Sequence, residues 1–460
     1  MLDFLIETEE SAVPITLLSE PTVETWLTSQ PTPTRIWLQR TGFSGKVGSL
    51  GLIPSEDGSI DSTVFVIPKN PTLWDYAALS ETLPKGNYSV PIDMASDQAT
   101  ELTLAWALAG YRFDRYQSKT INDEMPALLW PMSCRRDEVI RTAESVVLVR
   151  DLINAPAGDL GPNELAQTAN KLGLKHGANT NITVGDDLLL KDFPAIHAVG
   201  RAHDRAPRLI DITWGEPNAP KVTLVGKGVC FDTGGLNIKP AAGMKFMKKD
   251  MGGAAHVLGA AHAIMSAKLP IRLRALIPAV ENSIAGNAIR PGDVVKTRKG
   301  LTIEIGNTDA EGRVILADAL TEASAEKPDM IIDFATLTGA ARVALGTELP
   351  ALFCNDNDLA DGLLDAGNTV TDPLWRMPLW SDYDKNVDGK LADVTNAPEG
   401  NYGGAITAAL FLQRFIEEAI PWAHIDLMAW NTTRKPGRPE GGEAMGLRAV
   451  VRYLEERYRQ

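Results

Sequence analysis

Two carboxylates and one guanidinium stand at every second position of a short stretch, Asn307-Thr-Asp-Ala-Glu-Gly-Arg313. If the stretch is extended, alternate side chains project to one face, so Asp309, Glu311 and Arg313 point to the same place. Carboxylates this close repel each other unless a cation joins them. The stretch therefore predicts a metal-binding site, with Arg313 able to hold an anion beside it.

A second polar segment lies upstream, in the glycine-rich run 225–240 and just after it. It carries four charged side chains, Lys227, Asp232, Lys239 and Asp250. Glycine lets backbone approach a ligand closely, and ligands of α/β sheets bind where strands end. Because the Asp309 stretch also follows a predicted strand, 301–305, we expect the two segments to meet at one sheet edge. Residue type alone leaves two interpretations: a charge network on loops, which is the commoner arrangement, and a site for two metal ions.

Several common catalytic motifs are absent from the sequence. Gly226 and Gly228 lack the third glycine of the dinucleotide fingerprint, and no phosphate loop, Gly-x-Ser-x-Gly or His-Glu-x-x-His motif occurs. His256 and His262 are close in sequence, but a spacing of six residues places them on different faces of a helix. We therefore expect neither a nucleotide site nor a histidine metal site.

The bulk composition bounds the class of protein. The chain has 460 residues, 44% of them hydrophobic, and a net charge of −14, which argues against binding nucleic acid over a large surface. Its three cysteines, Cys134, Cys230 and Cys354, are far apart, which is typical of free thiols in a reducing compartment. The first basic residue is Arg35, and no apolar run reaches the ~18 residues of a membrane span. We expect a cytoplasmic protein without membrane contact.

The elements that must position the charged groups fall into two regions joined by a helix. Residues 1–135 predict a small N-terminal α/β domain, and apolar residues at three- and four-residue spacing predict a linking helix within 136–155. From 156 to 460, near-continuously apolar strands alternate with helices, as in a central mixed sheet covered by helices. Strands are predicted at 209–214, 222–225, 271–280, 330–335 and 422–430, and helices at 252–267, 314–325, 405–419 and 449–459. The fold class is therefore α/β.

The stretch 307–313 resembles the signature of the M17 leucyl (cytosol) aminopeptidase family, and the resemblance continues through Val314-Ile-Leu-Ala-Asp-Ala-Leu320. Further segments match at the family's internal spacings: Arg150-Asp-Leu-Ile-Asn-Ala-Pro156, Gly226-Lys-Gly228, Phe231-Asp-Thr-Gly-Gly235, Ile238-Lys239, Met247, Asp250-Met-Gly-Gly253 and Thr336-Leu-Thr-Gly-Ala340. The resemblance covers residues 140–460 and does not extend to the first 135. It identifies 156–460 as a catalytic dinuclear metallopeptidase domain.

The resemblance also implies roles for single residues. The implied metal ligands are Lys227, Asp232, Asp250, Asp309 and Glu311, with Asp232 and Glu311 bridging two ions. The implied catalytic residues are Lys239 and Arg313, and the implied substrate-binding residues are Met247, Thr336, Gly339 and Met428. The expected cofactors are two divalent ions, zinc or manganese with magnesium or cobalt as alternatives, and bicarbonate as general base. The expected activity is release of N-terminal residues from peptides by metal activation of a bridging water, in a homohexamer.

Two consequences of these roles concern single side chains. Lys227 can ligate a metal only as a neutral amine, and adjacent cations and burial would both lower its pKa. Met428 stands where the family usually has a small residue, which predicts an altered side-chain preference. Two other functions remain open, a DNA-binding architectural protein of the same family and a dipeptidase acting on cysteinylglycine. The net charge and the absence of lysine and arginine runs weigh against the first.

Overall fold

The computed structural model of the protein describes residues 2–8, 11–118, 125–400 and 402–459. The chain forms two compact units, one made of Met1–Val147 with Thr433–Glu440 and the other of Leu148–Thr432 with Gly441–Gln460. Both units mix helices and strands, which confirms the predicted fold class. The domain limits inferred from the sequence, at 135 and 155, stay a prediction. Among the described residues no helix is long and apolar enough to cross a membrane.

The first unit is built on a six-stranded sheet. Its strands are β1 (Leu5–Ile6), β2 (Val13–Ser19), β3 (Leu50–Pro54), β4 (Ile60–Ile67), β5 (Asn87–Ser89) and β6 (Ala127–Leu129), in the order β1-β6-β5-β2-β4-β3. All neighbours are parallel except β3 and β4. The helices of this unit are α1 (Val23–Ser29), α2 (Thr32–Arg40), α3 (Leu73–Thr82) and α4 (Ser96–Ala109). A further helix, α5 (Arg136–Asn154), occupies the predicted linking segment.

The second unit is built on a nine-stranded mixed sheet. Its strands include β7 (Asn179–Val184), β8 (Arg208–Trp214), β9 (Lys221–Gly226), β10 (Gly228–Asp232), β11 (Arg272–Asn282), β14 (Met330–Ala335), β15 (Ala351–Cys354), β16 (Trp375–Arg376) and β18 (Trp422–Asp426). The order is β16-β15-β18-β14-β9-β11-β8-β7, with β10 paired to β11. Two small sheets accompany it, one of β12 (Val294–Lys296), β13 (Thr302–Glu304) and β17 (Val394–Thr395), the other of β19 (Trp430–Asn431) and β20 (Gly441–Gly442). The central strands are almost wholly buried, as their apolar sequences predict.

Helices pack against this sheet in two groups. They are α6 (Pro162–His176), α7 (Asp187–Leu190), α8 (Pro194–Gly200), α9 (Ala241–Met244), α10 (Gly252–Ser266), α11 (Glu311–Ala325), α12 (Gly339–Leu345), α13 (Asn357–Thr369), α14 (Gly404–Gln413) and α15 (Leu447–Tyr458). Helix α11 packs with α8 and α14 in one large apolar cluster, whereas α10 packs with α6 and α15. Helix α10 approaches the sheet so closely that a Cβ on Gly253 would lie 2.8 Å from the Lys227 amide nitrogen. Glycine is required there because backbone stands on both sides.

Two buried polar networks hold these elements in register. Arg150, with 0% exposure, donates from Nε and Nη2 to the Glu443 carboxylate at 3.0 and 3.1 Å. The His256 ring bridges two elements: its Nδ1 lies 2.6 Å from the Gly252 carbonyl oxygen, and its Nε2 accepts from the Met445 amide at 2.8 Å. Because an N–H points at Nε2, the ring is neutral, and burial lowers the pKa of His256 to about 4.

The predicted strand 422–430 is wrong as one element. Strand β18 ends at Asp426, whose carboxylate accepts hydrogen bonds from the Leu337 and Thr338 amides. The chain then turns, and Ala429 adopts a positive φ of 57° before β19 begins. The buried Asp426 carboxylate is thus bonded to the segment that follows β14, and the pairing of β18 with β14 ends at this residue.

Candidate metal centre and active site

The five predicted metal ligands converge at one end of the large sheet. Lys227 lies between β9 and β10, and Asp232 is the last residue of β10. Asp250 lies in a 3-10 helix, Met247–Met251, that leads into α10. Asp309 lies in a turn, and Glu311 is the first residue of α11. With the exception of Asp309, all are at least 97% buried.

Two lysine ammonium groups stand among four carboxylates. Lys227 Nζ lies 2.8 Å from Asp250 Oδ2 and 3.0 Å from Glu311 Oε1. Lys239 Nζ lies 2.8 Å from Asp232 Oδ2 and 2.5 Å from Asp309 Oδ1. The predicted ligands and the predicted catalytic lysine therefore form a single cluster.

The local shape of the 307–313 stretch differs from the prediction. It is not extended: Asp309 belongs to a turn, and Glu311 and Arg313 lie in the first turn of α11. The two segments do meet, as expected, but they do not follow strands of the same sheet, because the strand before Asp309, β13, belongs to the separate three-stranded sheet. The helical apolar pattern from Val314 onward extends backward into the stretch, and seven residues alone do not determine which backbone they adopt.

Burial and charge shift the pKa values of the cluster. Burial, together with repulsion from neighbouring carboxylates, raises the pKa of Glu311 to about 8 and the pKa of Asp232 to about 6. Burial lowers the pKa of Lys227, but the carboxylates of Asp250 and Glu311 outweigh it and hold the pKa above its usual value. The carboxylates raise the pKa of Lys227, whereas bound cations would lower it. The predicted neutral form of Lys227 therefore depends on bound cations.

The donor set fits divalent cations. One oxygen from each of Asp232, Asp309 and Glu311 lies within 4.8 Å of the other two. Buried oxygens of Asp250, Asp309 and Glu311 lack a well-aligned hydrogen bond, although a lysine ammonium stands near each. A buried carboxylate in a folded protein is normally hydrogen-bonded, paired with a cation or bound to a metal ion. The oxygens of this cluster are therefore suited to bind hard or borderline divalent ions.

Arg313 lines a cavity of about 410 Å³ together with Lys227, Asp232, Lys239, Asp250 and Asp309. Its Nη1 donates to the Asn396 carbonyl oxygen at 2.8 Å, while its buried Nε has no hydrogen-bond partner among the described residues. Burial lowers the Arg313 pKa to about 10, so the group stays charged at neutral pH. A charged guanidinium that belongs to a cavity lining and keeps an N–H without a partner is suited to bind an anion.

The structure adds two residues that the sequence did not single out. Asn282, the last residue of β11, donates from Nδ2 to Asp232 Oδ1 at 2.8 Å and to the Thr308 carbonyl at 3.0 Å. Asn396 donates to the Asn307 and Ala310 carbonyls at 2.8 and 3.2 Å. A polar pair ending an otherwise apolar strand, Glu281-Asn282, is the signal that could have indicated the first; nothing local indicates the second.

The predicted substrate pocket is partly assembled at the same cavity. Met247, Thr336 and Gly339 line it, and Thr336 Oγ1 donates to Asp250 Oδ1 at 2.7 Å. Met428 is half-buried and is not among the lining residues of that cavity. The structure therefore does not place Met428 with the other three predicted pocket residues.

The chain is similar to known proteins over most of its length. The family model described as "Cytosol aminopeptidase family, catalytic domain" matches residues 147–451. A "Probable cytosol aminopeptidase" of Syntrophotalea carbinolica is 41% identical over 395 residues, which is 82% of this chain and 78% of that protein. The crystal structure of cytosol aminopeptidase from Coxiella burnetii superposes with a TM-score of 0.95 at 48% identity, covering 99% of this chain and 100% of that one. The bottromycin maturation enzyme BotP in complex with Mn gives a TM-score of 0.85 at 33% identity, covering 96% and 99%.

The first region also matches, which corrects one expectation. The family model described as "M17 aminopeptidase, N-terminal domain" matches residues 13–129, although the sequence showed no resemblance in the first 135. The sequence of this unit carries no catalytic or metal-binding motif. Its strands are indicated only by apolar residues, a pattern that many unrelated domains share. Single-residue signatures of the kind that mark the cavity are therefore missing there.

Proposed function

The chain belongs to the cytosol aminopeptidase family, M17, and from this premise we propose that its cavity holds two divalent metal ions and releases the N-terminal residue of peptides. The observation that carries the proposal is the convergence of Asp232, Asp250, Asp309 and Glu311 around two lysines in one cavity. Four carboxylates would balance two divalent charges, so a buried site can be near neutral.

Lys227, Asp232, Asp250, Asp309 and Glu311 would hold the ions, with zinc or manganese as the proposed pair and magnesium or cobalt as alternatives. When bound, such ions polarise a carbonyl and supply hydroxide at neutral pH. Asn282 holds Asp232 in place through its 2.8 Å hydrogen bond, and Thr336 does the same for Asp250.

Two residues would act without holding metal. Lys239 borders the cavity and keeps a pKa above its usual value, because the carboxylates of Asp232 and Asp309 outweigh the effect of its burial. A charged ammonium there can stabilise the oxyanion that develops on the scissile carbonyl. Arg313 would hold bicarbonate through its free Nε–H, and when bound that anion would supply a general base.

Three wider properties follow from the family. We propose a homohexamer and a cytoplasmic location, the latter supported by the names of the relatives. We also propose that Met428 modulates the preference for the first side chain. Light scattering tests the hexamer, and a Met428→Ala variant on a panel of aminoacyl amides tests the preference.

Hydrolysis of Leu-p-nitroanilide after EDTA treatment and metal add-back tests the site. Activity should vanish with EDTA, return with Zn²⁺ or Mn²⁺, and fall by at least about 100-fold in Glu311→Ala and Lys239→Ala. Glu216→Ala and Lys245→Ala, both exposed and outside the cavity, are matched controls. Full activity in either site variant would refute the assignment. Adding cysteinylglycine to the panel tests the dipeptidase alternative, and a gel shift at two salt concentrations tests DNA binding.

A further inference from the structure

Besides Arg313, two basic side chains that line the cavity have no acidic partner, Lys249 and Arg342. Among the residues that the structure describes, no carboxylate lies within 4.0 Å of either side chain, and neither donates a hydrogen bond. Lys249 is only 1% exposed, and lysine is almost never buried so deeply without a partner. A basic group that lines a cavity without an acidic partner is suited to bind an anion there.

The acids of the surrounding elements do not fill this role. Asp426 is the acid bound to the Leu337–Thr338 segment beside this wall, and its two oxygens accept from the Leu337 amide and from the amide and hydroxyl of Thr338. Asp250 follows Lys249 directly, but it is paired with Lys227. Lys227 and Lys239 are each held by two carboxylates, so the part of the cavity lining that carries Lys249 and Arg342 differs from theirs.

That part adjoins the proposed pocket for the first substrate side chain. Lys249 shares a short 3-10 helix with Met247, and a Cβ built on Gly339 would lie 3.6 Å from Arg342 Nη2. Thr336 and Thr338 line the same wall. The two basic groups therefore border the space where we place the side chain of the N-terminal residue.

We propose that Lys249 and Arg342 bind the side-chain carboxylate of an N-terminal glutamate or aspartate, so that the enzyme prefers acidic first residues. This proposal rests on the aminopeptidase function and names its substrate class. Arg342 supplies a fixed positive charge and a planar pair of donors, and Lys249 supplies a further donor shielded from water. A neutral amide of the same shape would leave these groups without a charged acceptor, and a basic side chain would be repelled.

The test compares kcat/KM for the p-nitroanilides of Glu, Gln, Leu and Lys. These substrates have no C-terminal carboxylate, so the side chain of Glu supplies the only carboxylate in the set. We expect Glu to exceed Gln by roughly 10- to 100-fold, the value of a charge-assisted hydrogen bond. Lys249→Met and Arg342→Met should each reduce the Glu/Gln ratio by about 10-fold while hydrolysis of Leu-p-nitroanilide is retained. Lys245→Met, an exposed lysine outside the cavity, is the matched control and should leave the ratio unchanged.

The outcomes separate this proposal from the function on which it rests. Good hydrolysis of Gln and Leu substrates with no preference for Glu overturns the acidic pocket and leaves the aminopeptidase standing. A carboxylate effect seen only as a preference for Leu-Ala over Leu-Ala-amide assigns the wall to the peptide's C-terminus and also overturns the proposal. If no substrate is hydrolysed, calorimetry on the metal-loaded protein still decides: tighter binding of glutamate than of glutamine, lost in Arg342→Met, supports it, and equal binding overturns it.

Discussion

Gly312 is the residue of the 307–313 stretch that makes room for the proposed ligand Lys227. It is the second residue of α11, and a Cβ at this position would lie 2.7 Å from Lys227 Nζ and closer still to Cε. Lys227 is 3% exposed and is held by Asp250, Glu311 and the Thr336 carbonyl, all within 3.0 Å. A Gly312→Ala substitution therefore acts on the lysine alone, through one added methyl group.

The magnitude follows from the overlap. Ordinary contact begins at 3.4 Å, so the end of the Lys227 side chain must retreat by about 1 Å. The displaced atoms are the far end of a flexible chain, and alanine favours a helix over glycine by up to about 1 kcal/mol, so we expect stability to change by no more than about 1 kcal/mol. A misplacement of about 1 Å in a reactive site reduces activity by about 100-fold, and the metal concentration needed for half activation should rise at least 10-fold.

The assay combines urea unfolding of the EDTA-treated protein with metal titration of Leu-p-nitroanilide hydrolysis. Gly286→Ala, where an added Cβ meets nothing within 4 Å, is the matched control. It should have the urea midpoint and the metal requirement of the wild type. Wild-type activity and metal requirement in Gly312→Ala would show that the position of Lys227 does not matter. A variant that fails to fold would show that Lys227 cannot move aside, which also contradicts the reasoning.

Three further predictions concern stability. Gly253→Ala, unlike Gly312→Ala, places its Cβ against backbone, so urea unfolding should show a loss of about 1–3 kcal/mol or more; an unchanged midpoint would contradict the close approach of α10. Arg150→Met leaves the Glu443 carboxylate buried without its partner and should lose about 3–5 kcal/mol, much of it restored by adding Glu443→Gln; equal losses in the single and double variants would count against the pair. Because the pKa of His256 is lowered to about 4 in the fold, the unfolded chain binds its proton first as pH falls below about 6.5, and stability should drop by about 1 kcal/mol between pH 7.5 and 5.5. His256→Gln should lose that part of the pH dependence; an identical slope in both proteins would refute it.

The pattern of the chain predicted most elements of the second unit. The strands at 209–214 and 330–335 and the helices at 252–267 and 314–325 exist within a few residues of their predicted bounds. Continuous apolar runs specify burial on both faces of a sheet, and that information is local. The predicted helix 405–419 ends at Gln413, because Pro421 and the turn before it close the element earlier than its apolar content indicates.

The sequence by itself indicated the side chains to which we assign the chemistry. Residue type and spacing indicated a metal site with an anion-binding arginine at 307–313 and a second charged segment with Lys227, Asp232, Lys239 and Asp250, and the resemblance to a family assigned their roles. These are properties of the order of residues, and they do not depend on how the backbone turns.

Only the tertiary structure decided how those groups meet and what else stands beside them. It placed Glu311 on a helix instead of an extended strand, and it brought Asn282 and Asn396 in to hold the cluster. It also placed Lys249 and Arg342, 93 residues apart in number, in the lining of one cavity. Such contacts arise where separate loops cross the end of a sheet, and no local pattern records the distance between loops that are far apart along the chain.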